Sequence, residues 1–340
     1  MDELCEVATL KGARTALRDK MKARFKIIIE AFFSGWLAIA GTALADNPNV
    51  GRTGFGFLKV GVAARPAALG GAFVASRGDV SSIGINPASL AALQGKVLAA
   101  SYTNYLLDIQ SGFLGFGKKI GQRTVLGIGI HYMSYGQFQT TTMDNPEGEG
   151  LAPFWASELA LQFSLSRLVF GNLAIGGGVK VLYSKIDTYS SDAYAFDFGI
   201  LFKPPVQGLY LGASGLNMGF VRRGYSSEVK ETLPVNFKLG SSYKLAHLPL
   251  VVLGDINFPN DNDPFYSVGG EFSVGGGMYL RMGYNSLYRD LQKEQWPGIS
   301  LGTGFTWMAR SDGMMYQVDY AYSSYAELGH VHRISLSGRF

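Results

Sequence analysis

From Lys96 to the end of the chain, apolar and polar residues alternate with a period of two in segments of about ten residues. Such alternation is typical of strands with one apolar and one polar face. In the segment 172–184, one face carries Leu173 and Ile175 and the other carries Lys180. The sequence contains fourteen such segments: 96–104, 111–119, 123–139, 154–165, 172–186, 193–203, 208–218, 233–245, 249–258, 265–274, 277–287, 298–308, 314–323 and 331–340.

The connections between these segments alternate in length. Short, Gly-, Pro- or polar-rich connections lie at 118–122, 166–171, 204–207, 245–248, 275–276 and 309–313. Longer joins lie between them, notably at 140–153, 219–232 and 288–297. Bacterial barrels have short periplasmic turns and long external loops. We therefore predict an all-β fold, a transmembrane antiparallel β-barrel of about 14 strands over residues 96–340, with both chain ends on the periplasmic side.

Composition supports a membrane barrel over a soluble β-sandwich or propeller, which is the alternative. Charged residues make up 16% of the chain, against about 25% in typical soluble domains. A sandwich should carry many Lys and Glu on its wet faces, whereas the polar faces here are mostly Gly, Ser, Asn and single charges. No apolar run after residue 45 is long enough for a helical membrane span.

The last segment has an apolar face formed by Ile334, Leu336 and Phe340. This pattern resembles the C-terminal signal of bacterial outer-membrane barrels, whose last residue is typically Phe. The resemblance implies recognition by the barrel-assembly machinery. An edge strand of a soluble sheet is the alternative for this segment.

A basic stretch at 22–26 precedes an apolar run at 31–40 and an Ala-x-Ala site that ends at Ala45. This is the layout of a secretory signal peptide. We predict a signal peptide over residues 1–45, with Met21 as an alternative start. The rival interpretation, a membrane anchor, would need about 20 uninterrupted apolar residues.

Residues 46–95 do not alternate, and we predict that they form an N-terminal hatch, or plug, inside the barrel. Asn86 as N-cap and Pro87 at the first helical position predict a short helix that is closed by Gly95. A fourteen-stranded barrel is wider than the eight-stranded barrels that side chains alone can fill, so other material must occupy its lumen.

The run from Ala64 to Ala75, with Asp79 and Asn86-Pro-Ala88 after it, resembles the N-terminal signature of the PorV/PorQ family of outer-membrane proteins. That family is similar in turn to FadL-type channels for hydrophobic compounds, whose hatch also carries an Asn-Pro-Ala motif. Both are associated with fourteen-stranded barrels. Ile85 stands where family members often have an aromatic residue. The predicted hatch motif comprises Arg65, Gly70, Gly71, Asp79, Asn86, Pro87 and Ala88.

The resemblance implies a component of type IX secretion that binds secreted or surface proteins, or secretion-system subunits. The alternative is a FadL-like passive channel for a hydrophobic small molecule. That function needs a continuous apolar path between hatch and wall, and often a lateral gap in the wall at a strand kink. The candidate path residues are Phe55, Phe57, Leu58, Phe73 and Val74. Protein binding is favoured instead by exposed apolar loop residues such as Leu107, Trp155 and Phe220.

An outer-membrane enzyme is the third class, but the chain carries no motif for one. Cys5, the only cysteine, lies in the predicted signal peptide, and the four histidines lack metal-site spacing. We expect no enzyme activity, no cofactor and no metal. The net charge of +4 is scattered, so we expect no nucleic acid partner. The predicted location is the outer membrane of a diderm bacterium, in contact with its lipid, after export by the general secretory route.

Charged residues also occur at predicted inward positions. Burying charges there requires partners, so we predict a hydrogen-bonded ladder between hatch and wall, with an acid or base role as the alternative. These residues are Glu158, Lys180, Asp197, Lys238, Lys244, Asp255, Glu271, Arg281, Asp319, Arg333 and Arg339.

Overall fold

The computed structural model describes residues 47–226, 231–289, 297–309 and 313–340. The predicted signal peptide lies outside the described residues. Fourteen strands are formed: β1 Lys96–Asn104, β2 Gln110–Ile120, β3 Thr124–Phe138, β4 Phe154–Phe170, β5 Leu173–Ile186, β6 Tyr189–Phe202, β7 Leu209–Arg223, β8 Asn236–Lys244, β9 Leu250–Pro259, β10 Phe265–Gly275, β11 Met278–Asn285, β12 Ile299–Met308, β13 Met315–Ser324 and β14 His330–Arg339.

The strands form one closed antiparallel barrel in which each strand pairs with its neighbours in sequence. Closure joins β1 to β14, with a register that runs from Val97 opposite Arg339 to Asn104 opposite His332. The predicted fold class and strand number are confirmed. In the described ranges, no helix has the length and apolar character that a membrane crossing requires.

The two faces of the wall follow the predicted parity. Val179 is 46% exposed on the outside, whereas its neighbour Lys180 is 5% exposed in the interior. The outer face therefore carries large apolar side chains, as a lipid-facing wall requires. Leu233 departs from the prediction. We expected it on the outer face, but β8 begins only at Asn236, and Leu233 is buried in the lumen.

The longest connections lie at one end of the barrel, as predicted, although the β5–β6 connection at that end is a two-residue turn. The end that carries the short connections, here called the turn end, also holds the start of β1 and the end of β14. The two ends of the wall therefore lie together, as an even strand number requires, but the first described residue of the chain does not lie with them. Asn47 lies at the opposite, loop end, because its side chain donates hydrogen bonds to the carbonyls of Asn260 and Asn262 in the β9–β10 loop.

Residues 47–95, here called the lumenal segment, pack against inward-facing side chains of the wall. The backbone N–H groups of Phe73 and Val74 both donate to Asp255 on β9, at 2.6 and 2.9 Å. The Ala64 N–H donates to Ser335 on β14. The helices of the segment are 3₁₀ helices at Gly56–Lys59, Val80–Gly84 and Pro87–Ala92 and one α-helix, α1, at Ala64–Ala68.

Candidate functional site

Arg65, in α1, is the centre of an ion network that joins the lumenal segment to the wall. Its guanidinium donates to both oxygens of Glu271 on β10, at 2.8 and 2.9 Å, and to Asp79 at 3.1 Å. Arg281 on β11 bridges Glu271 and Asp319 at 2.7 Å each. Burial by itself would lower the pKa of Arg65, but the carboxylates of Glu271 and Asp79 outweigh burial and raise it. The predicted ladder of paired charges is present here.

The Asn86-Pro87-Ala88 motif begins a 3₁₀ helix and is fully buried. The Asn86 amide donates to the carbonyl of Val74 at 2.7 Å and to that of Ile200 in the wall at 3.0 Å, and its oxygen accepts from the Ala88 N–H. The motif therefore joins two parts of the lumenal segment and fixes both to β6.

The wall is made of glycine where this motif touches it. A Cβ at Gly176 on β5 would lie 2.5 Å from the Ala88 nitrogen, and a Cβ at Gly199 on β6 would lie 2.0 Å from the Asn86 oxygen. Close approach of two backbones thus explains one glycine of the Gly176–Gly178 run.

The Gly70-Gly71 pair likewise allows two backbones to approach closely, at another part of the wall. Both residues have positive φ values, +65° and +86°. A Cβ at Gly70 would lie 2.6 Å from the backbone of Tyr284, and a Cβ at Gly283 would lie 2.1 Å from the Gly70 nitrogen. Only glycine permits this approach to β11.

The five predicted path residues are not brought together. Phe55 and Phe57 are buried in one apolar cluster near the loop end, with Met133, Leu182 and Leu233, and Leu58 packs against it. We call this group the Phe57 cluster; its other buried members are Ala160, Ala193, Ala195 and Val221.

The remaining two path residues, Phe73 and Val74, lie elsewhere. Phe73 is buried with Leu69 and Leu253, and the guanidinium carbon of Arg65 lies 5.3 Å from its ring centroid. The expected continuous apolar path is therefore divided into separate packed groups.

A cavity of about 230 Å³ lies in the lumen. Of the predicted path residues only Leu58 lines it. The lining is mixed, because Val62, Ile83 and Phe113 line the cavity together with His131, Gln162, Lys238 and Arg333. The open space therefore offers both apolar and polar surface, and Phe55 and Phe57 lie outside it.

Tyrosines from separate loops stand at the loop end of this cavity. Tyr288 and Tyr325 line it, with ring centroids 4.6 Å apart. The ring of Tyr105 lies 6.0 Å from that of Tyr325. Burial, with a contribution from Tyr325, raises the pKa of Tyr105 to about 12, so its hydroxyl stays protonated at neutral pH.

The wall has an irregular seam between β7 and β8. A bulge at Asn217, which has a φ of +59°, shifts the β6–β7 register, and β7 pairs with β8 only as far as Leu216 opposite Asn236. Asn217 is held by Asp197, whose carboxylate accepts from its N–H at 2.8 Å, and by Lys180 at 2.7 Å. Among the described residues, those of β7 beyond the bulge have no ladder partner on the β8 side.

A segment of the β7–β8 loop fills this seam from inside. Thr232 forms an isolated parallel bridge with Thr53, and the Gly54 N–H donates to the Thr232 carbonyl at 3.0 Å. Leu233 is buried against the Phe57 cluster, and the Pro234 carbonyl accepts from the Asn217 amide. Sequence reasoning missed this arrangement, because the alternation around Leu233 continues that of β8.

A second polar group was also missed. Glu158 on β4 accepts hydrogen bonds from Tyr135 and from Ser184, which in turn contacts the Tyr225 hydroxyl at 2.5 Å. Glu158 has no cation partner among the described residues. Its inward parity was visible in the sequence, but its neutral partners come from strand ends and loops.

The remaining predicted residues lie on the outside. Ile334, Leu336 and Phe340 are all about half exposed on the outer face, and the backbone of Phe340 pairs with Lys96. Of the loop candidates, Leu107 is 89% exposed. In the described part of the chain, no group of three or more His, Cys, Asp or Glu side chains could hold a metal ion.

Solved structures with this architecture include a FadL homologue from Pseudomonas aeruginosa, at 12% identity and a TM-score of 0.54, covering 82% of this chain and 98% of that one. The toluene transporter TodX of Pseudomonas putida matches at 12% identity and a TM-score of 0.56, covering 82% of this chain and 96% of that one. The toluene transporter TbuX of Ralstonia pickettii matches at 13% identity and a TM-score of 0.57, covering 82% of this chain and 98% of that one. The chain has a FadL-like fold. No protein-family model and no curated protein matches its sequence.

These structures bear out the FadL part of the resemblance that the sequence suggested. The PorV/PorQ part stays a prediction, because the matches do not test it. At such low identity the likeness concerns the fold, so the function has to be argued from the lumen and the seam.

Proposed function

We propose that this protein is a passive outer-membrane channel for hydrophobic small molecules, with the lumenal segment as its hatch. This was the alternative in the sequence analysis, and the FadL-like fold favours it over a secretion component. The observation that carries the proposal is the position of the Phe57 cluster. Large apolar side chains, which a purely aqueous pore would not need, form this cluster, and two of its members, Val221 and Leu233, lie on either side of the irregular seam at Asn217.

The two halves of the lumenal segment are held with very different strength. From Arg65 to Ala88 the segment is fixed by buried ion pairs, the Asn86 amide and the Asp255 carboxylate. Up to Lys59 the polar ties are the bridge to Thr232, bonds to Asp261 and the Asn47 bonds to the β9–β10 loop, and the Lys59 side chain is half exposed. No buried ion pair of two enclosed side chains holds this half among the described residues, and its main anchor is the packing of Phe55 and Phe57. We infer that residues 47–60 move while the rest stays in place.

Such a movement would vacate the apolar chamber without unfolding the barrel. Withdrawal of Phe55 and Phe57 would leave a space walled by Met133, Leu182 and Val221. A hydrophobic solute that enters from the loop end could occupy this space. It could then leave sideways beyond Leu216, where the ladder that pairs Leu209–Leu216 of β7 with β8 has ended among the described residues. The lumenal cavity also carries charged lining residues, including Lys238 and Arg333, whereas the Phe57 cluster is apolar throughout.

A disulfide can test whether residues 47–60 must move. Thr53 and Thr232 are bridge partners, and adjacent strands lie about 4.8 Å apart, which suits disulfide geometry. We expect the Thr53→Cys/Thr232→Cys variant to lose uptake of radiolabelled toluene when oxidised and to regain it on reduction. The assay would use intact Gram-negative cells that lack other channels of this fold.

The matched control is Ser300→Cys/Ser323→Cys, which joins two wall strands that are already paired. Its uptake should be the same in the oxidised and reduced states. Equal uptake by oxidised and reduced Thr53→Cys/Thr232→Cys would refute the proposed movement. Absence of uptake in every form, including the parent, would refute the channel function.

A secretion-associated function is the second candidate, and exposed apolar loop residues are the observation that favours it. Leu107 and Met143 are almost fully exposed at the loop end, and Trp155 is 59% exposed. Changing Leu107 to Asp should then abolish copurification of a stoichiometric protein partner from native membranes. It should leave the uptake of hydrophobic solutes unchanged.

A further inference from the structure

The outer face of the barrel carries a groove of about 610 Å³ across β2–β6. Its floor lies at Gly177 on β5, an outward position without a side chain, between Leu165 on β4 and Phe198 on β6. The side walls are large apolar residues that point to the outside: Phe116, Leu126, Ile128, Phe163, Leu165, Val179 and Phe196. Lys118 closes the groove towards the turn end.

Cations surround that end of the groove. Lys96 and Lys118 are direct cross-strand partners on the outer face of β1 and β2. Arg167, opposite Thr124, is exposed on the same side, and Arg123 lies in the β2–β3 turn. In the described part of the chain, none of the four forms an ion pair.

A pair of like charges placed directly opposite each other is destabilising unless an anion lies between them. Here the pair stands at the turn end of the wall, at the start of β1 and near the end of β2. Lysines near a membrane surface extend their charged ends towards lipid headgroups while their methylene chains stay on apolar surface. The arrangement therefore places exposed cations beside the turn end of an apolar groove.

We propose that this groove binds one anionic phospholipid of the leaflet at the turn end. The phosphate lies between Lys96 and Lys118, with Arg167 alongside, and an acyl chain lies in the groove over Gly177. The site is distinct from the solute path, and it requires only that the barrel stands in a lipid membrane. The lipid would neutralise the cation pair and cover the depression in the wall.

The experiment is native mass spectrometry of the full-length protein in mild detergent, titrated with dioleoyl phosphatidylglycerol and, separately, with dioleoyl phosphatidylethanolamine. We expect one phosphatidylglycerol to be retained per barrel in preference to phosphatidylethanolamine. The Lys96→Gln/Lys118→Gln variant should bind it at least about tenfold more weakly, because each basic residue near a membrane surface contributes attraction to anionic lipid.

A second variant tests the groove independently of charge. A Cβ at Gly177 would meet only the Asp197 carbonyl oxygen, at 3.7 Å, so Gly177→Leu should fold and fill the groove. It should lose the retained lipid with both lysines intact. The matched control is Lys203→Gln/Lys244→Gln, which removes two exposed cations of the turn end away from the groove and should bind lipid as the parent does.

Three results would overturn the inference. One is equal retention by the parent and the Lys96→Gln/Lys118→Gln variant. Another is full retention of phosphatidylglycerol by Gly177→Leu, which would show that surface charge alone, without the groove, holds the lipid. The third is an equal loss in the control variant. Heat-dependent gel mobility would establish that each variant contains a folded barrel.

Discussion

Replacing Arg65 with Met should release the lumenal segment from the wall while the barrel stays closed. Three hydrogen bonds to two carboxylates, at 2.8, 2.9 and 3.1 Å, would be lost. The network of Arg65, Arg281, Asp79, Glu271 and Asp319 carries one net negative charge, which would become two. Removing one partner of a buried ion pair typically costs about 3–5 kcal/mol.

The lower end of that range applies here, because Arg281 stays beside Glu271 at 2.7 Å and continues to neutralise it. A loss of about 3 kcal/mol would raise the population in which the segment is detached by roughly 150-fold. Hydrogen exchange with mass spectrometry can measure this in folded protein, on peptides that cover residues 62–75. Peptides from β12 and β13 serve as the internal reference, since their ladder bonds do not involve the segment.

Two further variants make the test specific. Arg222→Met removes a guanidinium with the same two-bond geometry towards Asp192, but on the exposed surface, where ion pairs contribute little. It should leave the exchange of residues 62–75 unchanged. Arg65→Met/Glu271→Gln should exchange more slowly than Arg65→Met, because it returns the net charge of the network from two negative charges to one. Exchange in Arg65→Met within about threefold of the parent would refute the reasoning.

Other parts of the lumen allow similar tests. Asn86→Ala would leave buried backbone groups without partners at about 1–3 kcal/mol each, so peptides that cover residues 74–92 should lose exchange protection. Gly283→Ala should push the Gly70 backbone away from β11 and so increase proteolysis of the lumenal segment. Gly177→Ala, on the outer face, should leave proteolysis unchanged. Burial raises the pKa of the Glu231 carboxyl, so the folded state binds the carboxyl proton more tightly than the unfolded state does. The protonated carboxyl therefore contributes to the free energy of unfolding, and this contribution falls as the pH rises through the folded-state pKa. Glu231→Gln should remove that pH dependence, measured as the denaturant midpoint between pH 5 and 8; an unchanged dependence would contradict this role.

Much of the wall was predictable from sequence because the information for it is local. A strand between lipid and lumen must alternate residue by residue, so parity assigned Val179 to the outside and Lys180 to the inside without knowledge of any neighbour. The number of strands and the short turns follow from the same pattern. The N-cap at Asn86 is likewise a property of three consecutive residues, and the structure has it.

The contacts between the lumenal segment and the wall were not predictable, because they join residues far apart in sequence. Inward parity placed Glu271 and Asp255 in the lumen, but it could not show that one meets the Arg65 guanidinium and the other two backbone N–H groups. Composition likewise suggested one apolar path, whereas packing divides Phe57 from Phe73.

The sequence by itself therefore determined a closed, lipid-facing barrel of fourteen strands with a lumenal N-terminal segment, because alternation and segment length are fixed by the thickness and polarity of a membrane. Only the tertiary structure decided that Asn47 lies at the loop end beside Asn260, and that the described β7–β8 ladder stops at Leu216. Both depend on which side chains meet across the lumen. That is settled by packing and hydrogen bonding in three dimensions, for which a single sequence carries no local signal.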